Sequence, residues 1–335
     1  MIGTEEFSAR LRERSVDVAH RRLLVARLAG SEQELDLTEP VNCGGLGRIR
    51  HFGRPTPPPW PANTLPGAPA RSRLEKLPAE QVLRAQVFQN SSCNWRCWYC
   101  YVPFSLLGAH EGHSEWRTAD ELVDAWQAEP NAPAVLDLSG GQPDLVPEWV
   151  PWTMRALIDR GLDHSTYLWS DDNLSTDYFW RYLSEKDIAL VAGYRNYGRA
   201  VCFKGIDEES FQLNTAATSE GYGAQFDYAR RLLAAGIDMY CYVTLTNDAA
   251  AQAVAALVDR FVDDLQAVDP NLPLRTVPLQ VGIFGPVHAR LQARQNLALT
   301  RQEAAVQAWN DQISRRFTHD QRSLPVTEVA VGTRP

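Results

Sequence analysis

The stretch Ser92-Cys93-Asn94-Trp95-Arg96-Cys97-Trp98-Tyr99-Cys100 puts three cysteines into eight consecutive residues. It follows Arg84–Asn90, a short run that reads as a strand, so the thiols stand on a loop leaving a strand end. Three thiols cannot form a disulfide framework, because one is left over. A structural zinc wants four ligands, and the next cysteine, Cys202, is about a hundred residues on. His110 and His113 lie nearer and could complete a zinc site, which would make the chain a non-catalytic zinc-binding interaction protein. Three thiolates also suit an iron–sulfur cluster. Four cysteines close such a cluster, whereas three leave one iron with the open position that catalytic metals need.

Working outward, the chain alternates strands with helices. Ala134–Ser139 is an apolar run fit for a buried strand, and Thr166–Ser170, Val201–Lys204, Asp238–Leu245 and Arg275–Ile283 read as further strands. The fourth has an open start, since Ile188–Gly193 could also be extended. Helices are expected over Thr118–Ala128, with a Thr118/Glu121 capping box, and over Pro147–Arg160, Thr176–Glu185, Phe226–Ala235 and Val254–Leu265. Six strands over about 200 residues predict an α/β fold of parallel βα units, either an open doubly wound sheet or a partial barrel. Before it, residues 5–28 read as one Arg-bearing amphipathic helix, and residues 40–75 as a Pro-rich strap in which Trp60 and Leu65 favour packing over a free linker. Cys43 stands alone there, and a structural role is expected. One more helix is expected over Arg301–Ile313.

Cys-x3-Cys-x2-Cys with an aromatic, Tyr99, just before the last cysteine resembles the signature of the radical S-adenosylmethionine superfamily. The resemblance implies a partial (β/α)6 TIM-like barrel over residues 81–290. A helix and Pro-rich extension (1–80) would precede it, and a helix and tail (291–335) would follow. It implies a [4Fe-4S] cluster on Cys93, Cys97 and Cys100, with S-adenosylmethionine chelated to the open iron. Reductive cleavage would give a 5′-deoxyadenosyl radical that abstracts hydrogen, so the enzyme would be oxygen-sensitive and need an electron donor such as flavodoxin or ferredoxin. Tyr99 would lie beside the adenine. After the second strand, Ser139-Gly140-Gly141-Gln142-Pro143 resembles the superfamily's Gly-Gly-Glu-Pro motif, which receives the methionine ammonium. Gln142 replaces the acid and offers an acceptor without charge; Asp144 is a candidate to supply it. By the same resemblance Ser170, Asp171 and Asn173 would contact the ribose or the carboxylate, the alternative being helix capping. Lys204, which resembles a lysine of activating-enzyme-like members, would pair with the methionine carboxylate.

Strand parity adds a reading from the residues themselves. Tyr240, Tyr242 and Thr244 share one face of the fifth strand, and Cys241, Val243 and Leu245 share the other. If the apolar set packs on helices, the Tyr/Thr set lines the interior. Cys202 shares the parity of Lys204, and Asp137 that of Ser139, so Cys202 is a candidate catalytic residue and Asp137 a candidate substrate contact. A polar interior predicts a small polar substrate. Activation of a glycyl-radical or peptide partner is the alternative.

The 335-residue chain carries 33 Lys and Arg against 41 Asp and Glu, a net charge of −8, which disfavours nucleic acid and anionic membrane as partners. No apolar run approaches the ~18 residues of a membrane span, and the start lacks a secretory h-region, so a cytoplasmic protein with free thiols is expected.

Overall fold

The computed structural model describes residues 1–74, 77 and 82–332. Among these residues the strands are β1 (Val16–Asp17), β2 (Arg22–Ala26), β3 (Gly47–Phe52), β4 (Leu83–Phe88), β5 (Ser114–Thr118), β6 (Val135–Leu138), β7 (Tyr167–Asp172), β8 (Tyr197–Phe203), β9 (Met239–Val243) and β10 (Thr276–Pro278). The larger sheet runs β10-β9-β8-β7-β6-β4-β3. Its six strands from β4 to β10 are parallel, and β3 pairs antiparallel with β4. The result is a curled, mostly parallel half-barrel, as the alternation of strands and helices predicts.

Alternation along each strand sorts the side chains. Leu136, Leu168, Val201, Cys241 and Val243 face the surrounding helices in the main core. Val135, Tyr167, Trp169, Ala200, Cys202, Tyr240 and Tyr242 face inward. The helix Val254–Val268 shows the pattern expected of it: Leu257, Val258, Phe261, Val262 and Leu265 are its buried stripe. The capping box of Thr118 and Glu121 starts the helix Ala119–Gln127.

Four sequence expectations change. The helix at the amino end stops at Ser15, and residues 16–26 make β1 and β2, which join β5 in a small antiparallel sheet. Leu23, Leu24, Val25 and Ala26 are all buried, a consecutive run that a one-sided helix cannot bury. The strap holds β3 and the helix Gly67–Arg73. Ile188–Gly193 lies within the helix Glu185–Gly193 and is not extended. The sixth strand is cut to three residues at Pro278, whose ring has no N–H for a ladder.

The strap is packed, with Trp60 and Leu65 buried. Leu65, Ala70 and Leu74 fill the inner face of the sheet beneath Tyr167, Trp169 and Tyr240. The proposed boundary at residues 80–81 lies outside the described residues. The helix Thr4–Ser15 is fastened to the body by Arg12, which donates to the Leu145 carbonyl at 2.9 Å and pairs with Glu148 at 2.5 Å. Among the described residues no helix is long and apolar enough to cross a membrane.

Candidate active site

A cavity of about 430 Å³ opens at the carboxyl ends of the parallel strands. In α/β folds this is where ligands bind, because loops there are free to vary over a fixed sheet. Cys93, Cys97 and Cys100 all line it, together with Tyr99, Gly140, Gly141, Asp171, Asn173, Cys202, Lys204 and Tyr242.

The cysteine loop is held from several sides. The Cys93 amide donates to the Leu107 carbonyl at 3.2 Å, and those of Arg96 and Trp98 donate to Thr215 and Asn214 at 2.9 and 3.3 Å. The Cys100 amide closes a tight turn onto the Cys97 carbonyl at 3.0 Å. Arg290 reaches in from far along the chain. It donates to the carbonyls of Cys100 and Val102 at 2.6 and 2.9 Å, and its guanidinium lies 3.7 Å from the Phe104 ring centre.

The Gly140–Gly141 turn is pressed against this loop. Both residues have positive φ, +81° and +64°. A Cβ on Gly141 would stand 2.4 Å from the Ser92 carbonyl oxygen, and one on Gly140 would stand 2.4 Å from the Gln89 side chain. Two glycines are therefore required by conformation and by contact. The Gln142 amide donates to the Ser92 carbonyl at 2.7 Å, locking the second strand's loop to the first's.

Beyond the turn the structure assigns side chains differently from the sequence reading. The Gln142 side chain is buried away from the cavity. Its Nε2 donates to Asp172 at 2.8 Å and its Oε1 accepts from the Asn173 amide at 2.9 Å. Pro143 opens a buried 3-10 turn, Pro143–Leu145, off the cavity. Asp144 supplies no charge to the cavity, because Arg199 holds it at 2.5 Å in a buried network with Asp172 at 2.7 Å. Burial pushes the Asp144 carboxyl up to about 7, against the pull of Arg199. Ser170 points to the helix side and bonds the Tyr197 hydroxyl at 2.7 Å. Tyr240 sits in a lower layer, between the Trp169 ring and the Arg275 guanidinium. Thr244 bonds the Tyr99 hydroxyl at 2.9 Å and so orients that ring.

Of the remaining predicted residues, all but Asp137 line the cavity. Asn173 Nδ2 donates to Cys93 Sγ at 3.6 Å. Lys204 stands among Cys202, Tyr99 and Cys97. Burial alone would lower its pKa, but these groups hold it well above the ordinary lysine value. Cys202 Sγ is 3.9 Å from Thr244 Oγ1. Tyr242 turns its hydroxyl toward Asn63 and the Leu65 carbonyl, both at 3.3 Å. Asp171 accepts from Ser139. Asp137 is fully buried just below, and neither carboxylate oxygen has a hydrogen-bond partner.

Cys93, Cys97 and Cys100 supply the three thiols needed either by an iron–sulfur cluster with one open iron or by a zinc ion with one further ligand. Tetrahedral zinc draws its sulfurs to about 4 Å from one another. Among the described residues no group of three or more Cys, His, Asp or Glu is placed to hold a metal ion as the side chains stand. His110 and His113 are exposed and lie off the cavity. Burial raises the pKa of all three thiols, that of Cys97 to about 11. Asn173 and Lys204 supply a donor and a positive charge beside the sulfurs.

Sequence reasoning missed the wall contributed by residues 33–54. Gln33, Asp36, Arg48, Arg50, His51 and Arg54 come from it. In sequence, residues 40–75 read as a Pro-rich strap, and only the fold shows what its arginines face.

No protein-family model and no curated protein matches the chain. Among solved structures it is similar to Streptococcus suis SuiB bound to precursor peptide SuiA, with a TM-score of 0.36, 12% identity and 53% of this chain covered. The same protein bound to S-adenosylmethionine gives 0.35, 13% and 52%. In both cases the match spans 36% of SuiB's length.

Proposed function

We propose that the chain is a radical S-adenosylmethionine enzyme acting on a small polar substrate. The observation that carries this reading is the meeting of Cys93, Cys97, Cys100, the Gly140–Gly141 turn and Lys204 at one cavity over the parallel strands. Cys93, Cys97 and Cys100 would hold a [4Fe-4S] cluster. When bound, the cluster supplies one electron to the sulfonium of S-adenosylmethionine, with reduced flavodoxin or ferredoxin as the donor class.

The chain's own residues do the rest. Asn173 polarises the Cys93 sulfur through its amide, and Lys204 places a fixed charge where a carboxylate can pair with it. Gly140 and Gly141 let their turn press against the loop that carries the cysteines. Tyr99, braced by Thr244, offers a ring face at the cavity wall. Residues from 33–54 and 279–284 add walls to the cavity, which supports a small substrate.

The test is anaerobic reconstitution with iron and sulfide, followed by reduction. The expected result is a brown protein with equal iron and sulfide that converts S-adenosylmethionine to 5′-deoxyadenosine, and a Cys97→Ala variant that does not. A colourless protein with stoichiometric zinc and no cleavage would refute the reading.

A further inference from the structure

Strand β3 brings Arg48 and Arg50 to the cavity at alternate positions, and Arg54 follows two residues past its end; all three line the wall. The Arg50 guanidinium lies 4.4 Å from the Phe52 ring centre. Its Nη1 is 3.5 Å from Asp137 and 3.9 Å from Asp171. Both separations exceed the ~2.8 Å of a charge-assisted hydrogen bond. The acids hold the arginine in place without saturating its donors. Arg48 is 5% exposed and donates to the Tyr101 hydroxyl at 2.7 Å, yet its buried Nε has no hydrogen-bond partner. An unmade bond on a buried charged group is unfavourable.

The charges near these arginines are Asp137 below, Asp171 beside and Asp36 on the cavity lining. Burial and the neighbouring Asp171 push the Asp137 carboxyl up to about 7, so near neutrality it bears only part of its charge. Asp172 is neutralised by Arg199.

We propose that Arg50, with Arg48 and Arg54 on the same wall, forms a carboxylate-binding subsite, and that the substrate is a small carboxylic acid held by the planar N–H fork of Arg50. Calling the bound acid a substrate rests on the enzyme reading above; the subsite does not. The methionine carboxylate has its own partner in Lys204, which stands against the cysteines, whereas Arg50 stands against Asp137 and Tyr242.

The experiment is a set of ligand-detected NMR titrations on the full reconstituted chain. The probes are acetate, glycine and succinate as carboxylates, inorganic phosphate as the rival oxyanion and glycerol as the uncharged control. At least one carboxylate should bind saturably and tightest, glycerol not at all, and saturating S-adenosylmethionine should leave that binding in place. Arg50→Gln should weaken it at least tenfold, with Arg50→Lys, which keeps charge but loses the fork, in between. Should Arg50→Gln fail to fold by circular dichroism, Arg50→Lys and Arg48→Gln decide, each expected to weaken binding by threefold or more. Unchanged affinity in these variants overturns the subsite, as does the absence of carboxylate binding. Phosphate binding tighter than every carboxylate overturns the acid assignment, and displacement by S-adenosylmethionine assigns Arg50 to the cosubstrate instead. Carboxylate binding without S-adenosylmethionine cleavage refutes the enzyme and leaves the subsite standing; cleavage without carboxylate binding does the reverse.

Discussion

Gln142 occupies the place of an acid in the motif it resembles, and its surroundings say why. Its Nε2 gives a hydrogen bond to the Asp172 carboxylate at 2.8 Å in a fully buried position. A carboxylate there would face a second carboxylate with no water between them. Gln142→Glu should therefore destabilise the fold by about 3 kcal/mol, read from urea midpoints. Adding Asp172→Asn should recover part of the loss by reversing the direction of the bond. Recovery is incomplete because Asp172 also accepts from Arg199 at 2.7 and 3.1 Å. Asp137 makes a different prediction. Burial, and then Asp171, raise its folded pKa to about 7, against the pull of Arg50 and Arg48. The folded chain thus holds that proton more tightly than the unfolded chain. The stability this contributes is full below about pH 4 and is lost as pH rises through about 7. Asp137→Asn lacks this dependence, so wild type should lose stability relative to the variant between pH 4 and 8 in paired denaturation curves.

At the scale of elements, β8 carries a charge on its helix side that its neighbours must satisfy. Arg199 is buried and serves both Asp144 and Asp172. Arg199→Met would strand two carboxylates at once, and we expect a loss of about 3–5 kcal/mol in chemical denaturation. None of this was legible in the sequence, because Arg199 and Asp144 lie 55 residues apart and meet only across the sheet. What was legible was local. The cysteine spacing, the glycine pair and the capping box are written in adjacent residues, and the buried strands announce themselves as apolar runs. β3 was hidden by the prolines that follow it and by its own arginines. β2 was hidden because Leu24 and Leu28 happen to continue the spacing of Leu11 in the preceding helix. Site residues divide the same way. Lys204 and Asp171, named from the resemblance, line the cavity, whereas Ser170 and Tyr240 do not, since their depth and side depend on register.

For the whole molecule, the amino-terminal segment is part of the barrel rather than an addition to it. It supplies β3 to the main sheet, the hydrophobic filling under Trp169, and a wall of the cavity. A chain lacking residues 1–74 would expose the antiparallel edge of β4 and the inner faces of Ala85, Tyr167 and Tyr240. Such a chain should show no cooperative thermal transition by far-ultraviolet circular dichroism. A sharp transition would mean that the parallel strands stand alone. The far end of the chain matters for another reason. Arg290 seats the loop that contains Cys100, across 190 residues of sequence. During synthesis the thiols leave the ribosome long before their clamp does. Until then the loop lacks one of its anchors, so the cavity wall that carries the three thiols is finished only once Arg290 has been made.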